Sequence, residues 1–166
     1  MIWKKQPSEP ETYLFENQGR PYGEMRFDAA GEAQATFGKL AFQVHQRGFW
    51  TPLPQIQLPD GTVALTARTE HWWGSTQILH CGTRIFKAGW KNDPLAEILI
   101  YETDPQYPLL TVGLKTEARQ TFTQLQVSDG AYNLHELPFL LAYAWYAFQP
   151  ASKQGVDDGV AAVLVM

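Results

Sequence analysis

Leu134–Phe148 reads LHELPFLLAYAWYAF, and this stretch decides the fold. Helical geometry puts residues three and four apart on one face. Leu140, Tyr143 and Ala147 therefore share a face, yet Phe139, Leu141, Trp145, Tyr146 and Phe148 cover the others. A helix that is apolar all round has to be buried all round. Pro138 suits a first turn, where its missing N–H costs little, and Asn133 or His135 is placed to cap the start. Pro150 comes just after the end. The pattern predicts a helix over Leu137–Phe148, followed by a polar loop at Ala151–Gly159. Burying each large side chain contributes about 1.5–3 kcal/mol before ordering entropy is subtracted. The segment is thus a central element of the core. A span of the bilayer needs roughly 20 apolar residues, and this run is too short for one.

Everything before the helix alternates with a period of two. Leu40–Gln46 places Leu40, Phe42 and Val44 on one face, and Thr62–Arg68 places Val63, Leu65 and Ala67 together. That is the pattern of a strand with one wet face. Further strands are expected at Thr12–Asn17, Tyr22–Phe27, Glu32–Phe37, Gln55–Leu58, Glu70–His80 and Thr83–Lys87. Others are expected at Ala96–Glu102, Leu109–Lys115, Arg119–Val127 and, after the helix, Gly159–Val165. Turn residues separate them at short intervals, among them Asn17-Gln18-Gly19, Asp28-Ala29-Ala30-Gly31, Pro59-Asp60-Gly61 and Ser128-Asp129-Gly130. Such short connections leave no room for the crossover helices that parallel strands require. The expected fold is mainly β: roughly twelve antiparallel strands in a barrel-like sheet around the hydrophobic helix.

A ladder of short strands followed by LPFLLAYAWYAF (Leu137–Phe148) resembles the tubby C-terminal-like superfamily, which includes the LURP-one-related proteins and the phospholipid scramblases. The resemblance lies in element order and hydropathy, and covers most of the chain from Thr12 onward. It implies a roughly twelve-stranded barrel enclosing a hydrophobic helix, and a role in binding or scaffolding. The lysine and arginine pattern by which tubby domains take phosphoinositides has no counterpart here, so no site is carried over. On this resemblance residues 1–166 form a single domain, with 1–11 as a flexible N-terminal segment.

Composition agrees with a packed domain: 45% of residues are hydrophobic, 18% charged and 13% aromatic. The formal net charge is −4, which weighs against general binding to nucleic acid or anionic membranes. Cys81 is the single cysteine, so no internal disulfide forms, in keeping with a cytoplasmic location. The opening MIWKKQPSEPE has lysines but no apolar stretch behind them, so no signal peptide is expected.

No catalytic residue and no metal ligand set stand out, and no cofactor is implied. His80 and Cys81 are adjacent, but neighbours on a strand point to opposite faces and cannot easily share an ion. No second ligand pair accompanies them. Cys81 has no nucleophile signature around it and reads as a buried small thiol. Glu97 and Glu102 are five apart on a strand, an odd separation that also places them on opposite faces. Asp157-Asp158 reads as a solvated pair in the late polar loop.

Two clusters point to ligand binding. Trp72 and Trp73 are adjacent in EHWWGSTQ, so one ring faces outward as a platform unless Gly74 lets both pack. Arg84, Lys87 and Lys91 flank Phe86 and Trp90, a basic group suited to a phosphate or lipid headgroup with cation–π support from Trp90.

Two functions follow. In the first, the helix fills the barrel, and the domain is a non-enzymatic module binding a protein or lipid-like partner on its outside. In the second, the barrel is hollow and binds or transforms a small apolar ligand, with the helix as a lid. Burial of the helix discriminates them: a lid keeps one face wet.

Overall fold

The computed structural model of the chain describes residues 2–5, 11–48, 53–71, 75–91, 95–117 and 120–155. Among them, twelve strands form one sheet whose spatial order is the sequence order. They are β1 (Ile2–Lys5), β2 (Thr12–Asn17), β3 (Arg20–Phe27), β4 (Ala33–Phe37), β5 (Leu40–Arg47) and β6 (Leu53–Gln57). Then come β7 (Val63–Thr69), β8 (Thr76–Cys81), β9 (Arg84–Lys91), β10 (Glu97–Tyr101), β11 (Leu110–Glu117) and β12 (Gln120–Val127). Every neighbouring pair is antiparallel. A 3-10 turn at Asp129–Asn133 leads to α1 (Leu137–Gly155).

The hairpins close where the sequence places glycine and aspartate. At the β2–β3 turn both Gln18 (φ 50°) and Gly19 (φ 74°) are left-handed, the twist-matched geometry for a two-residue connection. At β6–β7, Asp60 Oδ1 accepts from the Thr62 amide at 2.8 Å, and Leu58 N–H donates to the Thr62 carbonyl at 2.8 Å.

Alternation then sorts the side chains. In β4, Ala33, Ala35 and Phe37 are buried while Gln34 and Thr36 are exposed. The buried face of the sheet meets α1. Leu137 and every residue from Leu140 to Tyr146 are buried, as are Phe148 and Gln149; Phe139 and Ala147 are half-buried. Rings on α1 reach strands spread along the whole sheet. Trp145 packs on Trp3 of β1 and on Tyr13 and Phe15 of β2. Tyr146 stacks on Phe27 of β3, Phe139 meets Phe42 of β5, and Phe148 stacks on Trp90 of β9. The helix also packs against β10, β11 and β12. One helix can touch the first and last strands together only if the sheet curls around it. Among the described residues no pairing joins β1 to β12, so the sheet is barrel-like without being closed. The mainly β fold around a hydrophobic helix is as expected from sequence.

Three details differ from the sequence expectation. Residues 2–5, expected to be part of a flexible segment, form β1, because Trp3 has a core partner in Trp145. Of the run expected as one strand over Glu70–His80, the described residues are strand from Thr76, and Glu70 N–H donates to the Thr76 carbonyl at 3.0 Å. The helix runs through Pro150 to Gly155, although proline cannot donate the i to i−4 bond at that point. Residues 151–155 are therefore helical and not loop. The expected strand Gly159–Val165 lies outside the described residues.

Candidate functional site

The β8–β9 hairpin carries the basic cluster. Its two-residue turn begins at Gly82, whose φ of 59° favours glycine. From there β9 alternates. Phe86 and Ala88 are buried against the core, so Arg84 and Trp90, in phase with them, lie on the inner face. Lys87 and Lys91 are out of phase and lie on the outer face. The four residues expected to act together are thus divided between two faces of one strand.

Three of the four have a side-chain partner. Arg84 forks between two carboxylates: its Nη1 donates to Glu136 Oε2 at 3.3 Å, and its Nη2 donates to Glu102 Oε1. Its guanidinium lies 5.2 Å from the centroid of the Phe86 ring. The Glu102 hydrogen bond and the nearby negative charge hold the guanidinium more firmly protonated than usual. Glu136 immediately precedes α1, so the fork ties the start of the helix to the ends of β9 and β10. Lys87 Nζ donates to Glu70 Oε1 at 2.6 Å. That bond holds the Glu70 carboxyl below the usual carboxylate range. Trp90 is half-buried and stacked on Phe148, with ring centroids 6.2 Å apart and 13° between planes. The ring packs against the core and keeps part of its surface open. Lys91 is exposed at the end of β9, across from Glu97 in the β10 register. Trp72 and Trp73 lie outside the described residues.

Cys81 is buried, and burial, assisted by the Glu136 charge, pushes its thiol up to about 11. A neutral thiol in that position is a poor nucleophile. His45 is buried on β5 and His80 is half-buried on β8, while His71 and His135 are exposed. Among the described residues, no three His, Cys, Asp or Glu side chains gather as a metal set. Glu97 lies across Gly113, where a Cβ would stand 3.2 Å from its Cγ, and Glu102 is held by Arg84. The two carboxylates therefore do not face one another.

Sequence reasoning missed the acidic partners of Arg84, which lie 18 and 52 positions away. Nothing local announces such pairs. It also missed three exposed apolar side chains: Val63 on β7, 43% exposed although expected on the apolar face with Leu65, Ile85 on β9, 54% exposed, and Tyr107 in the β10–β11 loop, 78% exposed. Proline on both sides of Tyr107, in DPQYP, was the available signal for a projecting loop.

The inner surface offers phenols and rings. Tyr143 O–H donates to Gln77 Oε1, and Tyr146 O–H donates to the Gly31 carbonyl at 2.6 Å. Burial pushes the Tyr143 phenol well above its ordinary value, so it stays protonated. Among the described residues, no helix is long and apolar enough to cross a membrane. No family model matches the chain, and no curated protein or solved structure matches it.

Proposed function

We propose that this chain is a non-catalytic binding domain of tubby-like architecture, and that it engages a protein partner through its outer surface. The observation that carries this reading is the burial of Leu140–Tyr146, Phe148 and Gln149 on α1, with Trp145, Tyr146 and Phe148 packed on strands from β1 to β9. A helix in that position occupies the space a barrel ligand would need, which supports the filled interior over the lid. Projecting apolar side chains such as Ile85 and Tyr107 are the kind of anchor protein interfaces use. The basic cluster supports a lipid headgroup less well, because Arg84 and Lys87 already face carboxylates.

The test is affinity capture from cell extract with wild type and with Ile85→Ser and Tyr107→Ser, all checked for equal thermal stability. A partner held by wild type and lost by a stable surface variant supports the proposal. Native mass spectrometry showing a retained small molecule in stoichiometric amount would overturn it in favour of the hollow barrel. Tight co-sedimentation with phosphatidylserine vesicles, abolished by Lys91→Glu, would overturn it in favour of headgroup binding.

A further inference from the structure

Strands β5 to β9 contain no aspartate or glutamate, although the chain has 17 acidic residues and a formal net charge of −4. They do carry Arg47, Arg68, Arg84, Lys87 and Lys91. Arg84 and Lys87 meet carboxylates brought from other segments, and Lys91 stands across from Glu97. Arg47 and Arg68 are exposed and have no ion-pair partner among the described residues.

Strand register sets these two arginines side by side. Val44 on β5 and Leu65 on β7 are fully buried on the inner face, so Arg47 and Arg68, out of phase with them, lie on the outer face. Arg47 pairs with Leu53 of β6, and Leu53 stands opposite Arg68, two residues beyond the Gln55–Thr66 pair. Arg68 in turn pairs with Ile78 of β8. The row across four strands alternates cation and aliphatic side chain. The next row on the same face runs from His45 through Gln55, Thr66 and His80 to Ile85, each step a register pair. It ends on a side chain that is 54% exposed.

Arginine stays charged at every physiological pH, so this face is a positive island on an acidic protein, with charge left for a partner to neutralise. Strands lie about 4.8 Å apart, so the two arginine backbones are roughly 10 Å apart, which lets each take its own carboxylate. Two free cations are few for nucleic acid, which needs many phosphate contacts. Among the described residues the outer face of β5–β9 also shows no aromatic ring on which a base could stack. Half-buried Leu53 and Ile78, with exposed Ile85, instead offer apolar contact beside the charges.

Building on the reading of the chain as a protein-binding domain, we propose that the outer face of β5–β9 docks an acidic segment of a protein partner. Its carboxylates meet Arg47 and Arg68, and an apolar side chain rests on Ile85.

The experiment titrates the full chain into a fluorescein-labelled random copolymer of glutamate and tyrosine and follows anisotropy. Wild type is expected to bind at low salt and to release the copolymer at ~1 M salt, where screening acts within about 3 Å. Arg47→Glu combined with Arg68→Glu should weaken binding at least ~10-fold. Lys39→Glu combined with Lys115→Glu changes the net charge equally, at exposed sites off this face, and should leave binding within a factor of about 2. In wild type, 15N amide shifts on adding the copolymer should concentrate in β5–β9, an arm that stands even if a variant does not fold. No binding at low salt, equal weakening by the two double variants, or tighter binding to a DNA duplex or to phosphatidylserine vesicles would overturn the proposal. If the copolymer is not bound while Ile85→Ser still loses a partner from cell extract, the acidic chemistry falls and the binding-domain reading stands.

Discussion

The ring of Phe37 occupies the place where a side chain on Gly23 would begin: a Cβ there would lie 2.2 Å from Phe37 Cδ1. The two residues are register partners on β3 and β4. Phe37 cannot swing aside, because it is itself stacked on Phe42 (5.9 Å, 4°) and packed against Tyr22 and Phe15. Gly23→Ala is therefore expected to destabilise the protein by about 1–3 kcal/mol through overpacking. Combining it with Phe37→Leu should cost less than the sum of the two single changes, since the smaller side chain makes room. Urea titration of the four proteins measures this. Additive costs would show that the ring and the glycine do not share the space.

Trp145 and Phe139 lie on the same helix but in different surroundings. Trp145 is 1% exposed and ringed by Trp3, Tyr13 and Phe15, whereas Phe139 is half-buried. Trp145→Ala is expected to cost about 3–5 kcal/mol, enough to unfold a marginal domain. Phe139→Ala is expected to cost clearly less. Chemical denaturation with matched m-values is the check. Similar small losses at both sites would mean that the helix is not enclosed.

Cys81 gives a pH signature. In the unfolded chain its thiol ionises near the ordinary value of 9.0, and burial in the fold pushes it up to about 11. The folded state then holds the proton more tightly, so stability falls as pH rises from 9 to 11 and is unaffected by this group below that window. The same shift lowers the thiolate fraction about 100-fold at pH 8. Labelling with an aromatic disulfide at pH 8 should be at least ~100-fold slower for native protein than for protein in urea. Fast native labelling would mean that the β8–β9 end opens readily.

Arg84 joins Glu102 and Glu136 at the rim, where water screens all three. Arg84→Ala is expected to cost no more than about 1 kcal/mol. Most of that difference should vanish at ~1 M salt, where the screening length falls to about 3 Å. A larger loss that salt leaves unchanged would point to packing of the Arg84 stem on Phe86 as its main contribution.

The sequence made the architecture legible because both signals are local. Period-two runs such as Leu40–Gln46 and the all-round apolar stretch from Leu137 need only neighbours three or four residues away to be read. The start of α1 falls at Leu137, as the pattern indicates. Its end does not, because packing of Phe148 and Gln149 carries the helix past a proline that would stop an isolated peptide. β1 was hidden for the opposite reason: one tryptophan among lysines looks polar until its distant partner Trp145 is known. The candidate site fared worse. Lys87 and Trp90 are close in sequence but on opposite faces, and of the carboxylates that neutralise Arg84, Glu102 arrives through the β9–β10 pairing and Glu136 from the segment before α1.

The order of the strands has a bearing on how the protein is made. Each strand pairs with the one synthesised just before it, so the sheet can grow by successive hairpins as the chain leaves the ribosome. The helix that fills its concave side is translated after all twelve. Until Leu137 and the residues beyond it emerge, the inner face of the sheet that carries Phe15, Phe42 and Phe86 lacks the helix that covers it. The nascent protein thus passes through a stage with a large uncovered apolar trough, when chaperones or premature association compete with the final docking.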